Sequence, residues 1–192
     1  GSYLTDESAI HSLTESRMRS YVMIENDISE LRCNKLLVDN VGGARQAVEY
    51  LVSQNHRAIA HICGNPNKKV TQDRCSGYVA TMQEHGLEIR DIQRTSSDYA
   101  SGYDCMRRLL ALPERPTAVF CSDDAIASYA IRAALDCGLR VPQDVSVVGF
   151  DHQTVLPDRY RGPEITSVEQ PLYDIGVDSV TLLSSILDQT RE

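Results

Sequence analysis

A doubly wound α/β fold built on a parallel sheet is the architecture this sequence predicts, and three observations predict it. Short apolar runs recur along the chain with helical patterns between them. The clearest runs, Ala58-Ile59-Ala60-His61-Ile62-Cys63 and Val145-Ser146-Val147-Val148-Gly149-Phe150, are nearly continuous rather than alternating. Strands buried on both faces read this way. Glycine and proline then punctuate the helical patterns, at Gly86, Pro113 and Gly138. Strand and helix in alternation mean βαβ units around a parallel sheet.

Taken in order, residues 3 to 34 give a helix over about Glu7 to Arg19, a strand at Ser20–Ile24 and a polar turn. One strand cannot make a sheet alone, so this piece is expected to belong to a unit that is incomplete in this sequence. Lys35–Asn40 reads as a strand, followed by a helix with Ala44, Ala47, Val48 and Leu51 at helical spacing. Ala58–Gly64 is the next strand and ends in the turn Asn65-Pro66-Asn67. A helix from about Thr71 closes at Gly86, whose missing Cβ suits a left-handed cap. A weak strand over Ile89–Thr95 precedes a helix from about Ser101 to Leu112. Thr117–Cys121 is a short apolar strand bounded by Pro116 and Ser122, and the helix after it starts on Asp123 and stops at Gly138. Val145–Asp151, a short strand at Ile165–Val168 and a helix over about Leu172 to Leu187 complete the pattern.

Composition narrows the function classes. The 192 residues are 42% hydrophobic and 24% charged, the balance of an ordinary globular protein. The net charge of −8 repels phosphate backbones, so this segment is a poor nucleic-acid binder by itself. No stretch reaches the roughly 18–20 apolar residues that span a bilayer. The first residues lack a basic region followed by an apolar one, and Gly1-Ser2 resembles a scar of tag removal. Six cysteines, at 33, 63, 75, 105, 121 and 137, include no C-x-x-C pair. They read as reduced thiols packed as small hydrophobes, the pattern of a cytoplasmic protein, with neither a disulfide framework nor a metal expected. His56, His61 and Cys63 together suggest a metal cluster, but a turn holds the first and a strand the others, and packing is the preferred reading.

In an open parallel sheet, ligands sit outside the carboxyl ends of the strands. Asn65, Asp123 with Asp124, and Asp151 with His152 each follow a strand, and Arg74 lies in the first turns of the helix after Asn65. A guanidinium fork and several acceptor oxygens around one rim suit a polyhydroxylated ligand. Each residue also has a structural reading: Asp123 as a helix cap, Asp151 as a turn closer, Arg74 as a solvated helix residue. Neither phosphate-loop pattern occurs, and no Ser-His-Asp or Cys-His set has a supporting motif. These residues point to binding rather than catalysis, with no cofactor implied.

Longer stretches carry a resemblance. They include Val38-Asp39-Asn40-Val41-Gly42-Gly43-Ala44, His56–Gly64, Arg74 with Gly77-Tyr78, Ser101-Gly102-Tyr103, Pro116–Ala125, Gly138–Asp151 and Ile165–Pro171. In this order over about 150 positions, the sequence resembles the lactose-repressor/galactose-repressor family of bacterial transcriptional regulators. The resemblance implies a periplasmic-binding-protein-like domain of two subdomains, with a small sugar-like effector in the cleft between them. It implies that residues 3–34 are a remnant of the N-terminal subdomain, 35–161 a complete C-terminal subdomain, and 162–192 a crossover strand and helix returning to the first. It further implies a homodimer that meets operator DNA only through a head absent from this sequence.

Carried over by position, the effector-binding set is Arg74, Asp123, Asp151, Asn65 and Tyr99. Asp123 stands where many members have Asn, and His152 replaces a commonly acidic neighbour of Asp151. The family's stacking aromatic falls on Ser97, so Tyr99 serves only through a shifted loop. The expected function is that of a repressor's sensor. A transport-type sugar-binding protein of the same fold is the alternative, and six cysteines together with the specific motifs favour the repressor. An enzyme of doubly wound type lacks its motif here.

Overall fold

The structure is a computed structural model and describes residues 21–25, 33–89, 91–95, 98, 100–153 and 160–189. The expected helix at 7–19 lies outside them. The described residues fall into two compact units, one made of those up to Val38 and from Pro171 onward, the other of Asp39–Gln170.

The larger unit holds a five-stranded, wholly parallel sheet. Its strands are β3 (Ile59–Cys63), β4 (Ile92–Arg94), β5 (Ala118–Cys121), β6 (Ser146–Phe150) and β7 (Thr166–Val168), in the order β4-β3-β5-β6-β7. Helices α1 (Asn40–Ser53), α2 (Lys69–Glu84), α3 (Ser101–Leu110) and α4 (Asp124–Asp136) cover it. The period of two along a strand divides the core. Ala60, Ile62, Val119, Cys121 and Val147 join Met106, Leu109, Ile126 and Ile131 of α3 and α4 in one cluster. Ile59, Ala118, Phe120, Val148 and Phe150 join Val48, Leu51, Tyr78 and Met82 of α1 and α2 in a second. A strand clothed on both sides needs apolar residues at every position, which is why these runs do not alternate. Full burial of each such large side chain contributes roughly 1.5–3 kcal/mol.

Local chemistry sets the helix ends. The Asp39 carboxylate accepts the Gly42 N–H at 2.8 Å and starts α1. Asp123, in extended conformation, accepts the Ile126 N–H at 2.8 Å and starts α4. Gly86 and Gly138 turn left-handed after α2 and α4, at φ +63° and +77°, as their sequence positions predict. From β3 the chain first adds β4 on one side, then crosses to β5 on the other. The carboxyl ends of β3 and β5 thus flank the point where the winding reverses, the place where such sheets bind ligands.

The smaller unit pairs β1 (Val22–Ile24) with β2 (Asn34–Leu36) in parallel, Val22 opposite Asn34, and packs α5 (Leu172–Gln189) on both strands. Two expectations are corrected here. The apolar run at 35–40 was expected to open the larger subdomain, but its strand ends at Leu36 and hydrogen-bonds β1, and Asp39 caps the next helix. The strand at 165–168 was expected to return to the first subdomain, but Thr166–Val168 pairs with Val148–Phe150 of β6 as an edge strand of the larger sheet. The units therefore divide after Val38 and after Gln170.

Candidate functional site

The site grows from the carboxyl ends of β5, β6 and β7 and from the start of α2. Arg74, 5% exposed, is its centre. Its Nε donates to Asn40 Oδ1 at 2.8 Å, one terminal nitrogen donates to the Ser122 carbonyl at 2.5 Å, and the other pairs with Asp151 Oδ1 at 2.9 Å. The guanidinium carbon lies 3.7 Å from the centroid of the Phe150 ring, a cation–π contact made inside the protein where it is strongest. Arginine has five N–H donors, so three bonds leave two for a ligand.

Asp151 is the residue at which β6 ends. It has φ +97°, and His152 after it has φ +47°. Non-glycine residues reach this region at a cost, and such strain is concentrated at functional sites. The turn swings the Asp151 carboxylate onto Arg74, and Gln170, just past β7, donates its amide N–H to the same oxygen. Gln170 Oε1 and Ser122 Oγ are both buried, and neither has a hydrogen-bond partner among the described residues. Two orphaned polar atoms therefore flank the Arg74–Asp151 pair, and buried polar groups ordinarily have partners.

The other expected residues take different places. Asp123 is half-buried and caps α4 through Oδ1. Burial raises its carboxyl to a pKa of about 6; the Asp151 and Asp124 charges add to the rise, while the Ile126 N–H and Arg74 oppose it. Asp124 is spent on structure, accepting from Ser167 Oγ and the Gln153 N–H at 2.7 Å each. Burial raises its carboxyl also. Asn65 Oδ1 accepts the Asn67 N–H at 2.9 Å, which closes a local turn. His152 is exposed, and its backbone N–H donates to Ser167 Oγ at 3.0 Å. Tyr99 lies outside the described residues.

Sequence reasoning missed Asn40, Ser122 and Gln170. A signal existed for the last two, since each follows the end of a strand. Asn40 acts from the first turn of α1 and had none. His56 also has a definite place: its ring nitrogens lie 2.9 Å from Thr117 Oγ1 and 3.0 Å from Ser146 Oγ, pinning the start of β5 to the start of β6.

A doubly wound parallel sheet with a buried Arg–Asp pair at its switch-point edge defines a ligand-binding lobe. Comparison with known proteins narrows that class. The profile of a periplasmic binding protein-like domain matches residues 48–192. The HTH-type transcriptional repressor ExuR of Bacillus subtilis (strain 168) is 35% identical over 186 residues, 96% of this chain and 55% of the relative. A regulatory protein of the LacI family from Chloroflexus aggregans superposes with a TM-score of 0.80 at 30% identity, over 97% of this chain and 66% of that one. The transcriptional regulator CelR, in complex with cellobiose, gives a TM-score of 0.79 at 27% identity, over 95% of this chain and 64% of that one. The chain belongs to the periplasmic binding protein-like domain family, as an effector-binding domain of the LacI/GalR type. It spans about half the length of the curated relative it matches.

Proposed function

We propose that this chain is the effector-sensing part of a cytoplasmic transcriptional repressor, that it binds a small polyhydroxylated ligand, and that it changes operator affinity in a homodimer whose DNA-binding head lies outside this sequence. The observation that carries the reading is the pair of orphaned buried atoms, Ser122 Oγ and Gln170 Oε1, beside the Arg74–Asp151 pair. A hydroxyl both donates and accepts, so one sugar hydroxyl answers the Gln170 carbonyl while a neighbour meets Ser122 and the spare Arg74 donors. Asp123, Asp151 and Asn65 are the further ligand residues on this rim, with Tyr99 added from the resemblance. The CelR–cellobiose complex supports a sugar as the ligand class. A ligand can shift the repressor only as far as its affinities for two states differ.

The test is a thermal-shift screen of sugars, sugar phosphates and nucleosides against the wild-type chain, Arg74→Ala and Ser122→Ala. The second variant keeps the backbone carbonyl that Arg74 holds and removes only the orphaned hydroxyl. A compound that raises the wild-type midpoint, with the rise lost in Arg74→Ala and weakened in Ser122→Ala, establishes a sensor and its ligand class. A rise equal in all three proteins sinks this site, and turnover of the bound compound sinks the binding role.

A further inference from the structure

A second cluster of ligating side chains lies on the α2 face of β3, and the candidate effector edge uses none of it. His61 and Cys63 are two apart on β3, so both point to that face, and Cys75 of α2 meets them there. One ring nitrogen of His61 and the Sγ atoms of Cys63 and Cys75 lie within 4.8 Å of one another. His61 is fully buried, stacked 5.0 Å from Tyr78 and 4.7 Å from Phe120, centroid to centroid. A carbonyl can only accept, so the 2.8 Å contact to the Phe120 oxygen makes Nδ1 the donor and puts the lone pair on Nε2. That nitrogen has no hydrogen-bond partner among the described residues. A buried acceptor with nothing to accept is costly unless something takes its lone pair.

We propose that His61, Cys63 and Cys75 form a binding site for a single zinc ion, with His61 Nε2 and the two sulfurs as ligands and solvent in the fourth position. Two thiolates, one imidazole and a water are an open zinc coordination set. A backbone carbonyl holding Nδ1–H is the outer contact that fixes the tautomer of a zinc-bound histidine, and Phe120 supplies it. Ideal tetrahedral ligation puts such donors about 3.5–3.8 Å apart, so a spread of at most 4.8 Å closes by about an ångström of side-chain rotation. The water comes from a recess of about 210 Å³ whose lining includes Cys63, Thr71, Cys75 and Arg94. Binding releases one proton from each thiol, and Arg94 lines the same recess. Cys75 directly follows Arg74, so a bound ion fixes the turn of α2 that carries the effector-site arginine.

The test is a titration of the reduced, metal-free chain with Co²⁺, followed in the visible spectrum and then by Zn²⁺ displacement. The expected result is one equivalent bound with the intense bands of a tetrahedral thiolate complex, bleached by Zn²⁺. Cys75→Ser weakens binding by about tenfold or more and removes the sulfur charge-transfer band, while Cys137→Ser, which alters an exposed thiol elsewhere, changes neither. Circular dichroism checks that both variants fold. Alkylation of Cys75, followed by mass spectrometry in the wild-type chain, is slowed by Zn²⁺ and needs no variant. A weak octahedral spectrum, equal affinity in Cys75→Ser, or alkylation indifferent to Zn²⁺ would each overturn the proposal.

Discussion

Arg74 and Asp151 meet at 2.9 Å, and the contact ties the start of α2 to the turn after β6. Arg74 is 6% and Asp151 23% exposed at the side chain, so the pair is only lightly screened. The same arginine holds Asn40 and the Ser122 carbonyl, so one guanidinium joins α1, α2, β5 and β6. A residue proposed to grip the ligand is thus also a structural clamp.

Asp151→Asn separates the charge from the turn, because asparagine also tolerates a left-handed backbone. The amide leaves the buried guanidinium without its counter-ion, and the expected loss is about 2 kcal/mol of unfolding free energy. Urea denaturation of both proteins measures it. A loss of a few tenths or less would show that the pair contributes nothing net.

Gly77 lies where α2 packs tightly on α1. A Cβ there would lie 2.4 Å from the Val41 carbonyl oxygen and 2.8 Å from Ala44 Cβ. The first neighbour is backbone, so neither helix can yield without moving as a whole. Gly77→Ala is expected to cost about 1–3 kcal/mol, although alanine is the better helix former. Thermal unfolding checks the sign: a rise in midpoint would mean that the helices separate freely.

Helix α5 exposes Tyr173 at 83%, Val177 at 48% and Val180 at 66%, an apolar stripe spaced i, i+4, i+7. Such a stripe is ordinarily covered, and a second copy is the occupant the proposed homodimer supplies. Sedimentation velocity is expected to show association that grows with concentration and weakens in Val177→Glu/Val180→Glu. A monomer at every concentration would count against the dimer.

Much of this was legible in the sequence where burial left a pattern. β3, β5 and β6 are covered on both faces and therefore read as unbroken apolar runs. Pairing leaves no such trace, so the partners of Asn34–Leu36 and Thr166–Val168 were assigned to the wrong sheet. The placement of Arg74, Asp123 and Asp151 beside the carboxyl ends of strands was legible, because each comes soon after an apolar run. Asn40 was not, since it acts on Arg74 through a contact between elements distant in sequence. Cys75 lies twelve residues after Cys63 (75 − 63 = 12) with no metal-motif spacing, and only the packing of α2 on β3 brings the sulfurs together.

Asp123 gives the sharpest pH prediction. Its carboxyl titrates near 6 in the folded protein, against an ordinary value of 3.8. Between those values the folded state keeps a proton that the unfolded state has lost, so stability falls as pH rises from about 4 to about 6 and then levels. Asp123→Asn removes the titration and retains a side-chain oxygen to accept the Ile126 N–H. The midpoint of the variant should therefore gain on that of the wild type across this window and keep a constant lead above it. In the proposed site the same proton governs recognition, because a protonated Asp123 donates a hydrogen bond as asparagine does and an ionised one only accepts. A ligand hydroxyl that must accept at this position would bind the wild type more tightly below pH 6, with Asp123→Asn indifferent to pH. Thermal midpoints of the two proteins from pH 4 to 8 decide the first point, and a constant difference across the range would place the Asp123 carboxyl back at its ordinary value.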